Sequence, residues 1–129
     1  MGSNSSRYLI DTHILLWSLG EEDKLGSSLI KVLKDPSNEV FVSVASAWEI
    51  SIKNKKGKLP LKTTLAECFK KSPFDILEIK LTHVLQLEKL PLYHKDPFDR
   101  MLIAQAIVEK LTIITQDKKI SKYDVKIFN

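Results

Sequence analysis

Short apolar runs alternate along this chain with longer segments of helical period. Arg7 to Asp11 reads as a buried strand, with Thr12 to Leu19 as a helix directly behind it. Ser27 to Asp35 forms a second helix, stopped before Pro36, and Glu39 to Val42 a second strand. Ser43 to Lys56 is predicted helical and closed by Gly57, since glycine readily adopts the left-handed conformation just past a helix end. Thr64 to Lys71 is helical, Asp75 to Ile79 a strand and Thr82 to Leu90 a helix. Pro97 to Lys110 carries the most regular helical pattern. Leu111 to Thr115, rich in β-branched residues, is a strand, and Val125 to Phe128 is the last. Strands alternating with helices imply an α/β fold with parallel pairing, right-handed crossovers and helices on both faces of a sheet.

Composition narrows the class only a little. At 129 residues, 43% hydrophobic and 28% charged, the chain suits one globular domain with a real core, taken as residues 7–129. Met1 to Ser6 is a polar tail without the character of a signal peptide. No apolar run approaches the roughly 20 residues that span a bilayer, so no membrane partner is expected. Cys68 is the single cysteine. An internal disulfide and a cysteine-based metal site are thereby excluded, and a cytoplasmic location is the simplest expectation. The net charge of +4 and pI near 9.1 favour polyanionic partners. Lysines gather at Lys53, Lys55, Lys56 and Lys58, and again at Lys118, Lys119, Lys122 and Lys126.

Four acids carry more information, because each stands where charge is usually avoided. Asp11 ends an apolar strand, Glu49 lies inside Val44-Ala45-Ser46-Ala47-Trp48-Glu49-Ile50, Asp99 opens an apolar helix, and Asp117 follows the strand ending at Thr115. In open parallel sheets ligands bind outside the carboxyl ends of the strands. Asp11 and Asp117 fall at or just past two such ends.

Each acid also has a purely structural reading. Asp11 could cap the following helix, and Asp117 could begin a turn. Asp96-Pro97-Phe98-Asp99 has a capping pattern, and Ser46 with Glu49 has capping-box spacing. Helical phase argues for more in two cases. Asp99 shares a face with Leu102, Ile103 and Ala106, and Glu49 shares one with Ala45 and Ile52. A carboxylate on a buried stripe is costly unless paired or bound to metal. Two carboxylates about 5 Å apart repel by roughly 3 kcal/mol at an effective dielectric near 20. Four of them must raise some pKa values or hold a cation, and an all-oxygen set suits Mg²⁺ or Mn²⁺ over Zn²⁺. His13, His83 and His94 lack the paired spacing of metal motifs. His94, close in sequence to Asp96 and Asp99, reads either as a loop residue or as a residue at the edge of the pocket.

These blocks together resemble PIN-domain ribonucleases of the VapC toxin type. Leu9-Ile10-Asp11-Thr12-His13 resembles the family's opening, and Ser46-Ala47-Trp48-Glu49-Ile50 its second acidic block. His94-Lys95-Asp96-Pro97-Phe98-Asp99-Arg100-Met101-Leu102 resembles the third, and Thr115-Gln116-Asp117 the fourth. The resemblance implies a three-layer α/β/α fold with about five parallel strands. It implies that Asp11, Glu49, Asp99 and Asp117 are both catalytic and metal-holding, with Thr12, Asp96, Arg100 and Thr115 in support. Thr115 would hydrogen-bond within the pocket, and Asp96 would cap a helix and orient Arg100.

The implied activity is Mg²⁺- or Mn²⁺-dependent hydrolysis of RNA by in-line attack of water, leaving a 5′-phosphate and a 3′-hydroxyl. A cognate antitoxin and a homodimer are implied as well. RNA contact by Lys53, Lys55, Lys56 and Lys58 follows from their charge alone. Two other readings compete. An RNA-binding module could keep the metal only for structure. A metal-dependent phosphatase or phospho-receiver is another possibility, but such sites usually need an Asp-x-Asp pair or adjacent acids, and here the sequence is Asp11-Thr12-His13.

Overall fold

The computed structural model describes residues 6–55 and 64–129. Five strands, β1 (Arg7–Ile10), β2 (Glu39–Ser43), β3 (Asp75–Leu77), β4 (Thr112–Ile114) and β5 (Ile127–Phe128), pair in parallel in the order β3-β2-β1-β4-β5. β1 is central, and its alternation sorts the core into two layers. Leu9 lies beside Phe41 and Ile113, while Ile10 lies beside Val42 and Ile114. Leu9 and Ile113 pack with Leu102, Ile103 and Ala106; Ile10, Val42 and Ile114 pack with Ile14, Leu15 and Leu29. Successive side chains of a strand point to opposite faces, so a sheet buried on both sides needs this unbroken apolar run.

The described helices are α1 (Thr12–Gly20), α2 (Ser27–Lys34), α3 (Val44–Lys55), α4 (Leu65–Lys71), α5 (Leu81–Glu88) and α6 (Pro97–Glu109). α5 and α6 cover the Leu9 face, and α1, α2 and α4 contribute to the Ile10 face. α3 serves both layers, with Ala45 in one and Ile50 in the other. The result is the expected three-layer α/β/α sandwich with five parallel strands. None of the described helices is long and apolar enough to cross a membrane.

Several boundaries differ from the sequence expectation. Ser43 is the last residue of β2 rather than the first of a helix, although its Oγ accepts from the Ala45 N–H (2.9 Å) as a cap would. α6 ends one residue early because Lys110 turns left-handed, with φ 58°. Three strands are shorter than expected because flanking residues leave the ladder: β3 stops at Leu77, β4 omits Leu111 and Thr115 at its two ends, and β5 begins at Ile127. Two 3-10 turns, Glu22–Lys24 and Ile120–Lys122, were not anticipated. A single turn is too short to show a period. Ser6, assigned to the tail, is tied to the fold through its N–H to Asn38 Oδ1 (3.2 Å). The remaining tail residues, Gly57, Lys56 and Lys58 lie outside the described residues.

Candidate metal centre

Parallel pairing brings all carboxyl strand ends to one edge, and the acids collect there. Asp11 follows β1 directly, and Asp117 lies three residues beyond β4. Glu49 comes from α3, which runs on from β2 without a loop, and Asp99 from the first turn of α6. All four line one cleft of about 340 Å³, together with Thr12 and Lys53.

Asp11 caps α1 and also lines the cleft. Its Oδ1 accepts from the Ile14 N–H (2.9 Å) and its Oδ2 from the Thr115 hydroxyl (2.5 Å), at only 6% exposure. Glu49 is equally enclosed, with 4% exposure. The Thr12 hydroxyl donates to its Oε1 (2.6 Å) and Lys53 Nζ to its Oε2 (2.5 Å). Thr12 Oγ1 also lies 2.9 Å from Ser46 Oγ, which joins α1 to α3. Asp96 caps α6 by accepting from the Phe98 (2.8 Å) and Asp99 (3.0 Å) N–H groups. Asp96 also contributes to the lining of the cleft. Asp117 accepts from the Lys119 N–H (2.8 Å) through Oδ1, and its own N–H donates to Thr115 Oγ1 (3.0 Å). The Thr115 hydroxyl thus bonds to Asp11 and to the backbone of Asp117.

The electrostatics favour a cation. Burial pushes the Asp11 carboxyl above its ordinary value, against the Thr115 and Ile14 hydrogen bonds. Asp99 is pushed up to about 7, by burial first and then by the Asp96 and Glu49 carboxylates, with His94 opposing. Asp117 is also raised by burial, but hydrogen bonds from Lys119 and His94 outweigh that effect and hold it below the carboxylate range. The hydrogen bond to Glu49, against burial, raises the Lys53 ammonium. Hard oxygens with unused lone pairs and unrelieved negative charge match the requirements of Mg²⁺ or Mn²⁺. The acids lining the cleft therefore fit a divalent cation, and Asp11, Glu49, Asp99 and Asp117 are the residues that would hold it.

Three sequence assignments are refined by position. Lys53 is inside the cleft on Glu49, one helical turn away, whereas Lys55 is exposed near the end of α3. Asp96 does not orient Arg100 through its side chain, because its carboxylate is turned back onto the α6 N–H groups. Arg100 instead donates to the carbonyls of Pro91 (2.8 Å), Leu87 (3.4 Å) and Leu90 (3.4 Å), and to the Tyr123 hydroxyl (3.3 Å). It ties the segment after α5 to the fold. Replacing it with methionine strands several carbonyls beneath the surface. Thermal denaturation of Arg100→Met is expected to show a loss of about 1–3 kcal/mol; an unchanged midpoint would contradict this role.

His94, for which the sequence left a loop position and the pocket edge both open, lies against two of the acids. It is 7% exposed, and its Nε2 lies 3.0 Å from both Asp99 Oδ2 and Asp117 Oδ2. Among the described residues, His94, Asp99 and Asp117 are the one trio whose ligand atoms all lie within 4.8 Å of one another. The available hint was its place in the same block as Asp96 and Asp99.

Fold and site define a class: an α/β/α domain with an acid-lined cleft at the carboxyl edge of a parallel sheet. Residues 8–126 match the family model of the PIN domain, and the chain belongs to that family. No curated protein matches the sequence. Among solved structures, the fold is shared with VapBC2 from Rickettsia felis bound to a DNA fragment from its promoter, at TM-score 0.71 and 16% identity over 95% of this chain and 98% of that one. It is similar to DNA-bound VapBC from Salmonella typhimurium, at TM-score 0.72 and 13% identity over 95% and 97%. VapBC-1 from nontypeable Haemophilus influenzae gives TM-score 0.67 and 16% identity over 95% and 97%.

Proposed function

We propose that this PIN domain is a divalent-metal-dependent endoribonuclease acting as the toxin of a toxin–antitoxin pair in the cytoplasm. The observation that carries the reading is the convergence of Asp11, Glu49, Asp99 and Asp117 on one cleft, within a family of nucleases. An Mg²⁺ or Mn²⁺ ion held there would supply Lewis-acid polarisation of a phosphodiester and a nucleophilic water at neutral pH. The protein's own part is positioning. Thr12 and Thr115 fix Glu49 and Asp11, and the α6 cap sets the direction of Asp99.

Lys53 is the cleft's resident ammonium, and its task is to meet a backbone phosphate as the RNA enters. Lys53→Met is expected to weaken RNA binding across sequences and to reduce the slope of log K against log salt by about one. An unchanged slope would remove Lys53 from the interface. The relatives' complexes support an antitoxin partner and exposed Trp48, Leu81, Leu85 and Leu92 leave apolar surface for protein contacts, a homodimer included.

The deciding experiment is incubation of a mixed RNA pool with the purified protein, with Mg²⁺ or with chelator. Discrete Mg²⁺-dependent fragments support the nuclease. RNA binding without cleavage, under conditions where Mg²⁺ binding is confirmed, would favour a binding module. Growth arrest on expression without antitoxin tests the toxin role separately.

A further inference from the structure

His94, Asp99 and Asp117 look at first like a mixed nitrogen and oxygen metal site. The surroundings of the imidazole argue otherwise. Its Nδ1 faces the Asp96 backbone N–H at 3.2 Å, and that N–H can only donate. Nδ1 is therefore the acceptor nitrogen, and the ring proton sits on Nε2. Nε2–H in turn hydrogen-bonds Asp117 Oδ2 (3.0 Å), with Asp99 Oδ2 at the same distance beside it. A metal at Nε2 would require that proton to leave or to move to Nδ1, where it would collide with the Asp96 N–H.

The ring is also held from behind. Its own backbone N–H donates to the Tyr123 hydroxyl (2.9 Å), which donates to the Pro91 carbonyl (2.6 Å). Arg100 binds the same carbonyl. This scaffold delivers the imidazole to the cleft wall in one orientation, between acids from α6 and from the segment after β4.

We propose that His94 is a positioning residue that donates across Asp99 and Asp117 and does not ligate the ion. It spaces the two carboxylates and occupies their Oδ2 atoms on one side, leaving the metal an all-oxygen ligand set. The centre thereby prefers a hard cation over Zn²⁺. This inference rests on the reading that the acids hold a divalent cation.

The test begins with long-range ¹H–¹⁵N correlation spectra of the histidine rings, without metal and with saturating Mg²⁺. His94 is expected to show the Nε2–H tautomer in both. An Nδ1–H tautomer in either spectrum, or coupling of His94 Nε2 to added ¹¹³Cd²⁺, overturns the proposal. Mn²⁺ titration followed by the resonance of the free ion gives a second arm. His94→Gln, which keeps a donor at similar reach, should bind Mn²⁺ within about threefold of the wild type. His94→Phe should lose on the order of 10–100-fold. Equal weakening by both, or none by Phe, overturns the positioning role, and the glutamine variant and ring spectra decide the matter if Phe misfolds. Wild-type protein that binds no Mn²⁺ at all would defeat the metal reading and the inferred preference, while the metal-free spectrum still tests the donor assignment.

Discussion

Asp99→Asn is expected to abolish RNA cleavage and, at pH 8 without metal, to make the protein more stable. The activity loss should be on the order of a thousandfold, the scale of removing one preorganised charged group from an active site. The stability gain follows from linkage. The Asp99 carboxyl is raised from its ordinary 3.8 to about 7 by burial and by the neighbouring Asp96 and Glu49 carboxylates. A raised folded pKa means that the stability this group provides is complete below the unfolded value and is lost as pH rises through the folded one. Between about pH 4 and pH 8, metal-free wild type therefore pays up to roughly 4 kcal/mol to ionise Asp99 in the fold. Asparagine never ionises, and its amide oxygen still accepts from His94.

Melting in chelator is expected to place the variant several degrees above wild type at pH 8, with the gap closing at pH 5. Added Mg²⁺ should raise the wild type and leave the variant nearly unmoved, because a ligand stabilises only the form that binds it. A variant that melts below wild type at pH 8, or that cleaves RNA at the wild-type rate, would contradict the assignment of Asp99.

The sequence made some of this site visible for definite reasons. Asp99 could be read because a helix repeats: Leu102, Ile103 and Ala106 are all buried, so the residue three, four and seven positions before them faces inward. Asp11 could be read because its strand ends at a known edge of a parallel sheet. Lys53 stands four residues after Glu49, a spacing that favours pairing on a helix, yet its membership in a run of lysines drew attention to surface charge instead. His94 had no period to reveal it. Its placement depends on Tyr123, 29 residues later, and on Arg100 gathering the carbonyls between α5 and α6. The family resemblance implied that Asp96 would cap the helix and orient Arg100. Capping consumed the carboxylate, and the arginine turned to the loop.

Thr115→Val is the second large effect, and it separates the hydroxyl from the shape of the side chain. Valine is nearly isosteric and suits the end of a strand, so the sheet should survive. The hydroxyl, however, donates to Asp11 Oδ2 and accepts from the Asp117 N–H, coupling acids that follow adjacent strands β1 and β4. Without it, Asp11 stays buried with one fewer donor, so its already raised pKa rises further. Asp117 loses the bond that fixes its backbone. Loss of an outer hydrogen bond of this kind typically costs 10–100-fold in metal affinity or activity. Mn²⁺ binding and Mg²⁺-dependent cleavage by Thr115→Val should both fall within that range. Because an acid of raised pKa ionises later, the loss should be greater at pH 6 than at pH 8. Thr115→Ser restores the hydroxyl and should recover most of both. Serine as impaired as valine would mean that the methyl group, through packing against the strand ends, matters more than the hydrogen bond.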